Sequence, residues 1–163
     1  MNIIKAAFVL TLLICIEVKA EPNKFWDVHG LTLGSSEQTI TNGFPEFSCK
    51  DDGKLRRCDG YVKSSDHPGP LYNGATNISI VLLNDKLVNI HILDFPAMFD
   101  ENYANLEKEY GLPIDDKKGS IETSDGKTYE NRTIVWHNGT STIQYDKYWR
   151  NIKVSRLLYM LKD

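Results

Sequence analysis

Two apolar arms facing each other across a polar dipeptide constrain this chain more than any other feature. Ile78, Ile80 and Leu82 alternate with Ser79 and Val81, Asn84-Asp85 intervenes, and Val88, Ile90 and Ile92 then alternate with Asn89 and His91. A repeat of two sends successive side chains to opposite sides of a strand, so both arms offer one face to a core and leave the other wetter. The pattern predicts an antiparallel hairpin. A second hairpin is expected downstream, where Asn138-Gly139 separates Arg132–His137 from Ser141–Asp146. Asn-Gly between alternating arms suits the left-handed backbone of a tight hairpin turn. A last strand is expected over Ile152–Leu161.

Two helices fit between these strands. Trp26–Gly34 reads as a first extended segment, and Ser35-Ser36-Glu37-Gln38 carries the serine-then-acid signature of a helix start. Gly43 and Pro45 keep that helix short. The second helix begins near Asp94-Phe95-Pro96, has Asp100 and Glu101 at its positive end, and lines up Phe99, Tyr103, Leu106 and Tyr110 as one apolar stripe. Gly111 and Pro113 end it. A polar loop is expected from there to about Tyr129. The helix exits match, Asn42-Gly43-Phe44-Pro45 and Tyr110-Gly111-Leu112-Pro113, and each leads through a polar stretch to a hairpin. The expected class is therefore α+β: one antiparallel sheet with two helices packed on one face, built from a duplicated helix-plus-hairpin unit.

Cysteines and the N-terminal segment indicate the compartment. Residues 1–20 hold Lys5, an apolar run from Ala6 to Ile16, and Val18 and Ala20 three and one positions before Glu21. This is the layout of a cleavable secretory signal, because about eleven apolar residues fall short of the roughly 20 that span a bilayer as a helix. Cys15 lies inside the run, but Ile14 before it does not suit lipidation. Cleavage after Ala20 leaves residues 21–163 as one domain. Removing Lys5, Lys19 and Glu17 from 19 basic and 22 acidic residues leaves 17 and 21, a weakly acidic chain with no long basic run. Nucleic acid and anionic membranes are poor partners for such a surface. The remaining cysteines, Cys49 and Cys58, are expected to bridge in an oxidising compartment across a hairpin loop, worth roughly 2–3 kcal/mol on the chain-entropy model.

Gly30-Leu31-Thr32-Leu33-Gly34-Ser35-Ser36-Glu37-Gln38 followed by a short helix and a Gly-apolar-Pro exit resembles the repeat of the β-lactamase-inhibitor-protein and small outer-membrane-assembly lipoprotein superfamily. Tyr110-Gly111-Leu112-Pro113 and Val135-Trp136 are similar to the second half of many uncharacterised exported bacterial proteins. The matched motifs cover about a quarter of the chain after residue 20. The chain departs from the lipoproteins in its cysteine context, and from tandem inhibitors in having one cysteine pair rather than one per repeat. The resemblance implies a scaffold whose sheet face binds another protein, and it transfers no catalytic residue.

The residues themselves advertise little chemistry. His29, His67, His91 and His137 form no His-x-x-x-His pair, and no Cys-x-x-Cys is present, so no metal or other cofactor is expected. There is no Gly-x-Ser-x-Gly elbow and no phosphate-binding glycine loop. Asp51-Asp52, Asp100-Glu101 and Asp115-Asp116 read as turn or helix-start pairs. Asn77, Asn131 and Asn138 head glycosylation acceptor triplets. Tyr, Trp and Arg are the residues most enriched at protein-binding hot spots, which singles out Arg56, Arg57 and Tyr61 at the cysteine loop and Tyr148, Trp149 and Arg150 nearer the C-terminus. The functional expectation is an exported, periplasmic or secreted, non-enzymatic module that binds another protein as an inhibitor, immunity or envelope-assembly protein. The alternatives are a small hydrolase of cell-wall or envelope polymer, with carboxylates meeting in a cleft, and a sensor holding a small ligand between helix and sheet.

Overall fold

A computed structural model describes residues 26–63, 65–66, 69–71 and 75–162. The expected signal segment and His67 lie outside these residues. The chain opens with a small hairpin, β1 (Asp27–Val28) and β2 (Leu31–Thr32), then α1 (Glu37–Gly43). Four strands follow: β3 (Ser48–Asp52), β4 (Leu55–Lys63), β5 (Ala75–Leu83) and β6 (Lys86–Asp94). A 3-10 turn (Pro96–Met98) leads into α2 (Phe99–Tyr110), and four more strands complete the chain: β7 (Asp115–Glu122), β8 (Thr128–His137), β9 (Ser141–Asp146) and β10 (Ser155–Leu161).

The last eight strands form one antiparallel sheet in the order β3-β4-β5-β6-β10-β9-β8-β7. Each helix is thus followed by a four-stranded meander, and the last strands of the two meanders, β6 and β10, pair at the centre. This corrects the expected α+β class and its helix-plus-hairpin unit. Among the described residues strands hold 52% and helices 17%, so this part of the protein is mainly β. The difference comes from segments read as loops. The polar stretch after Pro113 is the edge strand β7, exposed along almost its whole length, so no apolar period marks it. The cysteine loop is likewise a ladder, β3 against β4. The segment Trp26–Gly34 is a tight hairpin rather than one extended piece, because His29 (φ 54°) and Gly30 (φ 82°) turn it back.

Cross-strand register shows how one face becomes the core. Cys49, Cys58, Ile80, Ile90, Tyr159, Ile143 and Trp136 stand opposite one another in a single row across seven strands. A parallel row runs Gly60, Ile78, Ile92, Leu157, Tyr145 and Ile134. Apart from Gly60 and the half-buried Cys49, all these residues are buried. The aromatic stripe of α2 lies on this face: Phe99 stacks on Tyr145 at 4.5 Å, and Tyr103 and Tyr110 sit 6.1 and 6.3 Å from Trp136 and Tyr159. The Trp136 indole N–H donates to the Gly111 carbonyl at 2.8 Å, which fastens the helix exit to β8. Over the other meander, α1 buries Ile40, its Ser36 cap accepts from the Thr39 amide, and Glu37 pairs with Arg56 at 2.8 Å. Phe47 fills the space above Gly60, where a Cβ would lie 2.0 Å from the ring.

A bulge changes one expectation within the hairpin. Val81 pairs with Asn89 but Leu82 pairs with Leu87, so Val88 is the extra residue. Leu87 therefore takes the core position and is fully buried, while Val88 is half-buried. The Leu87 amide donates to the Ser35 carbonyl and its carbonyl accepts from the Gly34 amide, which ties this point to the start of α1. Asn84 (φ 50°) and Asp85 (φ 59°) make the turn. The Cys49–Cys58 bridge is formed between directly opposite residues, Cα atoms 4.0 Å apart, and staples the short edge strand β3 to β4.

Candidate protein-binding face

Both helices and the small hairpin lie over the core face, so the alternate residues of every strand look outward. Register again defines rows. Tyr61, Asn77, Leu93, Arg156, Asp146, Thr133 and Lys117 form one, and Asp59, Ser79, His91, Leu158, Gln144 and Val135 form the next. Two large apolar side chains remain uncovered on the first row, Tyr61 at 55% exposure and Leu93 at 41%.

A polar network holds the middle of this face. The Asp146 carboxylate accepts from both Arg156 Nε (3.0 Å) and a terminal Arg156 nitrogen (2.6 Å), from the Thr133 hydroxyl (2.8 Å) and from the Gln144 amide (3.0 Å). Asp146 is buried, and a buried charge held by this many donors is fully partnered. The Arg156 guanidinium also lies 5.0 Å from the Trp149 ring, and the Arg150 guanidinium lies 4.3 Å from that ring. Trp149 is thereby drawn from the β9–β10 loop against the open face. Beside Arg156 sits His91, whose pKa is lowered by burial and then by the positive charges of Arg156 and Arg57. Ser79 donates to Asp59 on the neighbouring strand.

The structure divides the residues singled out from sequence. Arg56 and Arg57 point to opposite faces, as neighbours on a strand must. Arg56 is on the helix side, held by Glu37 and Asp51 at 2.8 and 3.0 Å, whereas Arg57 is on the open face, paired with Asp52 at 3.1 Å. The adjacent aspartates split in the same way. Tyr61 is on the open face in β4. Tyr148, Trp149 and Arg150 come together on the β9–β10 loop, gripped by the Asn131 side chain, which accepts from the Tyr148 amide and donates to its carbonyl. Sequence reasoning missed Leu93, Arg156, Asp146 and Leu158. Leu93 carried a signal, since it has the opposite parity to Ile90 and Ile92 on a strand already recognised. Arg156 and Asp146 lie ten residues apart and carried none.

Of the three acceptor asparagines, Asn131 is engaged as above. The Asn138 side-chain oxygen accepts from the Thr140 and Ser141 amides and caps the turn, while Asn77 is exposed on the open face. His29 is buried, and His91 and His137 lie on the outward side of their strands. Among the described residues no three His, Cys, Asp or Glu converge as a metal site. Comparison with protein-family models, with curated proteins and with solved structures finds no match to this chain.

Proposed function

We propose that the protein is an exported, non-enzymatic module that holds another protein against the uncovered face of its sheet, in an inhibitory, immunity or envelope-assembly role. One observation carries this reading: the face opposite the helices leaves Tyr61 and Leu93 exposed in the same row as the Arg156–Asp146 pair, with Trp149 beside it. Exposed aromatic and aliphatic groups around a desolvated arginine have the composition of a binding hot spot. A rigid sheet loses little conformational freedom on binding, which favours affinity. The disulfide is in keeping with an oxidising compartment outside the cytosol, and the sequence resemblance to sheet-face binders points the same way.

The test is cross-linked capture from envelope extract with the native protein, with Tyr61→Asp and Leu93→Asp, and with Lys108→Glu as a control on the exposed side of α2. The expected result is a discrete protein captured by the native chain and by the Lys108 variant, and lost with both open-face variants. Urea denaturation of each variant runs beside the capture, so that loss of capture at unchanged stability reads as loss of contact. Capture that survives both open-face substitutions, or no capture at all, overturns the reading.

A further inference from the structure

The loop between β9 and β10 gathers positive charge, and unlike Arg56 and Arg57 on β4 its cations have no carboxylate partner among the described residues. Lys147, Tyr148, Trp149, Arg150, Asn151, Ile152 and Lys153 contain three cations and no acid, in a chain of net charge −3. The Lys147 ammonium lies 5.9 Å from the ring of Phe99 on α2, toward the helix side, which leaves Arg150 and Lys153 as the loop's other cations. Among the described residues no carboxylate pairs with Lys147, Arg150 or Lys153. The nearest acid in sequence, Asp146, is already engaged by Arg156, Thr133 and Gln144. The loop is also held in shape. The Asn131 side chain grips Tyr148, the Trp149 amide donates to the Val154 carbonyl at 2.8 Å, and the Lys153 amide donates to the Asn151 side chain at 2.8 Å. Arg150 has φ 65°, a left-handed conformation that costs any residue with a Cβ some energy and is usually given to glycine. Here it accompanies a guanidinium lying on the Trp149 ring.

We infer that this loop is the electrostatic anchor of the open face and takes an acidic segment of the partner protein, with carboxylates on Arg150 and Lys153 and the segment's stem packed on the Trp149–Arg150 stack. The inference rests on the protein-binding reading and names the chemistry of its partner. Three features favour an acidic protein over other anions. Phosphate-dense polymers and anionic bilayers need many cations, and three on a net-negative chain give a weak footprint. The loop is continuous through Arg156 with a face that exposes Tyr61 and Leu93, which a protein covers and a polyanion does not. Aromatic residues stacked with arginine are suited to protein contacts, and a preordered loop lowers the cost of making them.

The experiment titrates the full chain with a synthetic peptide alternating Glu and Ala, with its Gln counterpart, with heparin, and with phosphatidylglycerol-containing vesicles. Trp149 indole fluorescence and its NMR signal, assigned by Trp149→Phe, are the readouts. The Glu peptide should bind, weaken as salt rises and shift the Trp149 signal, while the Gln peptide, heparin and vesicles bind less. Arg150→Glu/Lys153→Glu should reduce affinity by about tenfold or more. Arg150→Gly should weaken binding while the melting temperature holds or rises, because glycine relaxes the left-handed backbone; that separates a lost contact from a lost fold. Equal binding of the Gln peptide, unchanged affinity in the double variant, or tighter binding to heparin or vesicles overturns the inference. If the Glu peptide fails while Tyr61→Asp and Leu93→Asp still abolish capture, the anchor falls and the open-face reading stands.

Discussion

The two faces of the sheet are built from the same strands by alternate residues, yet they are put together in different ways. On the helix side the rows are apolar from Cys58 to Trp136 and are sealed by aromatic residues of α2. On the open side the rows mix Tyr61, Leu93 and Leu158 with His91, Gln144 and an Arg156–Asp146 pair. The lesson is that stability and recognition are separated by parity, so that moving one residue along a strand changes which of them a substitution affects. Trp136→Ala gives the largest expected effect. Trp136 is 2% exposed, rests near Tyr103 and donates its indole N–H to Gly111, so truncation leaves a cavity and unfastens the helix exit from β8. The expected loss is about 3–5 kcal/mol, read by urea denaturation. A loss below about 1 kcal/mol would mean that the helix-covered face does not carry the fold, and the contrast between faces would collapse.

Asp146 is where the contrast should bend. It belongs to an open-face row, yet it is buried and answers four donors, and its partner Arg156 has only 16% of its side chain exposed. Asp146→Ala leaves that guanidinium desolvated without a counter-charge. The expected cost is about 3 kcal/mol, at the lower end of the range for breaking a buried pair because the site borders solvent. The double variant Asp146→Val/Arg156→Leu should cost less than the single one, since removing both charges also removes the desolvation penalty. If the single variant is neutral, the pair is a surface ion pair and the open face has no structural role of its own.

Much of the central sheet was legible because both arms of β5 and β6, and those of β8 and β9, carry apolar residues at a period of two with turn-forming dipeptides between them. The stripe on α2 and the serine cap of α1 were legible for the same kind of reason, a local pattern with a local cause. The edges were not. In β7, Asp115, Lys117 and Gly119 alternate with Asp116, Lys118 and Ser120, so both sides are polar and pairing to β8 is invisible in composition. Arg132, bonded to both oxygens of Asp116 at 2.8 Å, helps hold that edge and holds the Asp116 carboxyl below its ordinary pKa. The disulfide partners were readable by counting, whereas the direction of Arg56 and Arg57 needed the register of β4. The bulge at Val88 shows the limit of periodicity: one inserted residue exchanges Val88 for Leu87 in the core. The candidate site was half legible. Tyr61 and the Tyr148-Trp149-Arg150 turn were found by residue type, but the Arg156–Asp146 pair that links them is a long-range contact with no sequence pattern.

His91 offers the smallest and most discriminating measurement. It faces outward from β6 among Ser79 and Asp59 on one side, Leu158 and Arg156 on the other, with Arg57 beyond Ser79. Burial, then Arg156, then Arg57 lower its pKa, so the fold favours the neutral ring. Unfolded, the ring takes up a proton near its ordinary value of about 6.5. Between that pH and the lower folded pKa the unfolded chain binds more protons, so stability falls as pH falls through this window, with no contribution above it. His91→Gln should remove that part of the pH dependence, leaving variant and native protein closest in slope above neutrality and furthest apart at mildly acidic pH. Arg57→Gln should raise the His91 pKa part of the way back, as followed by the ring proton signals in an NMR titration. A His91 that titrates at or above its ordinary value would place it in open solvent, away from Arg156, and the open face would then lack the half-desolvated patch on which its comparison with the helix side depends.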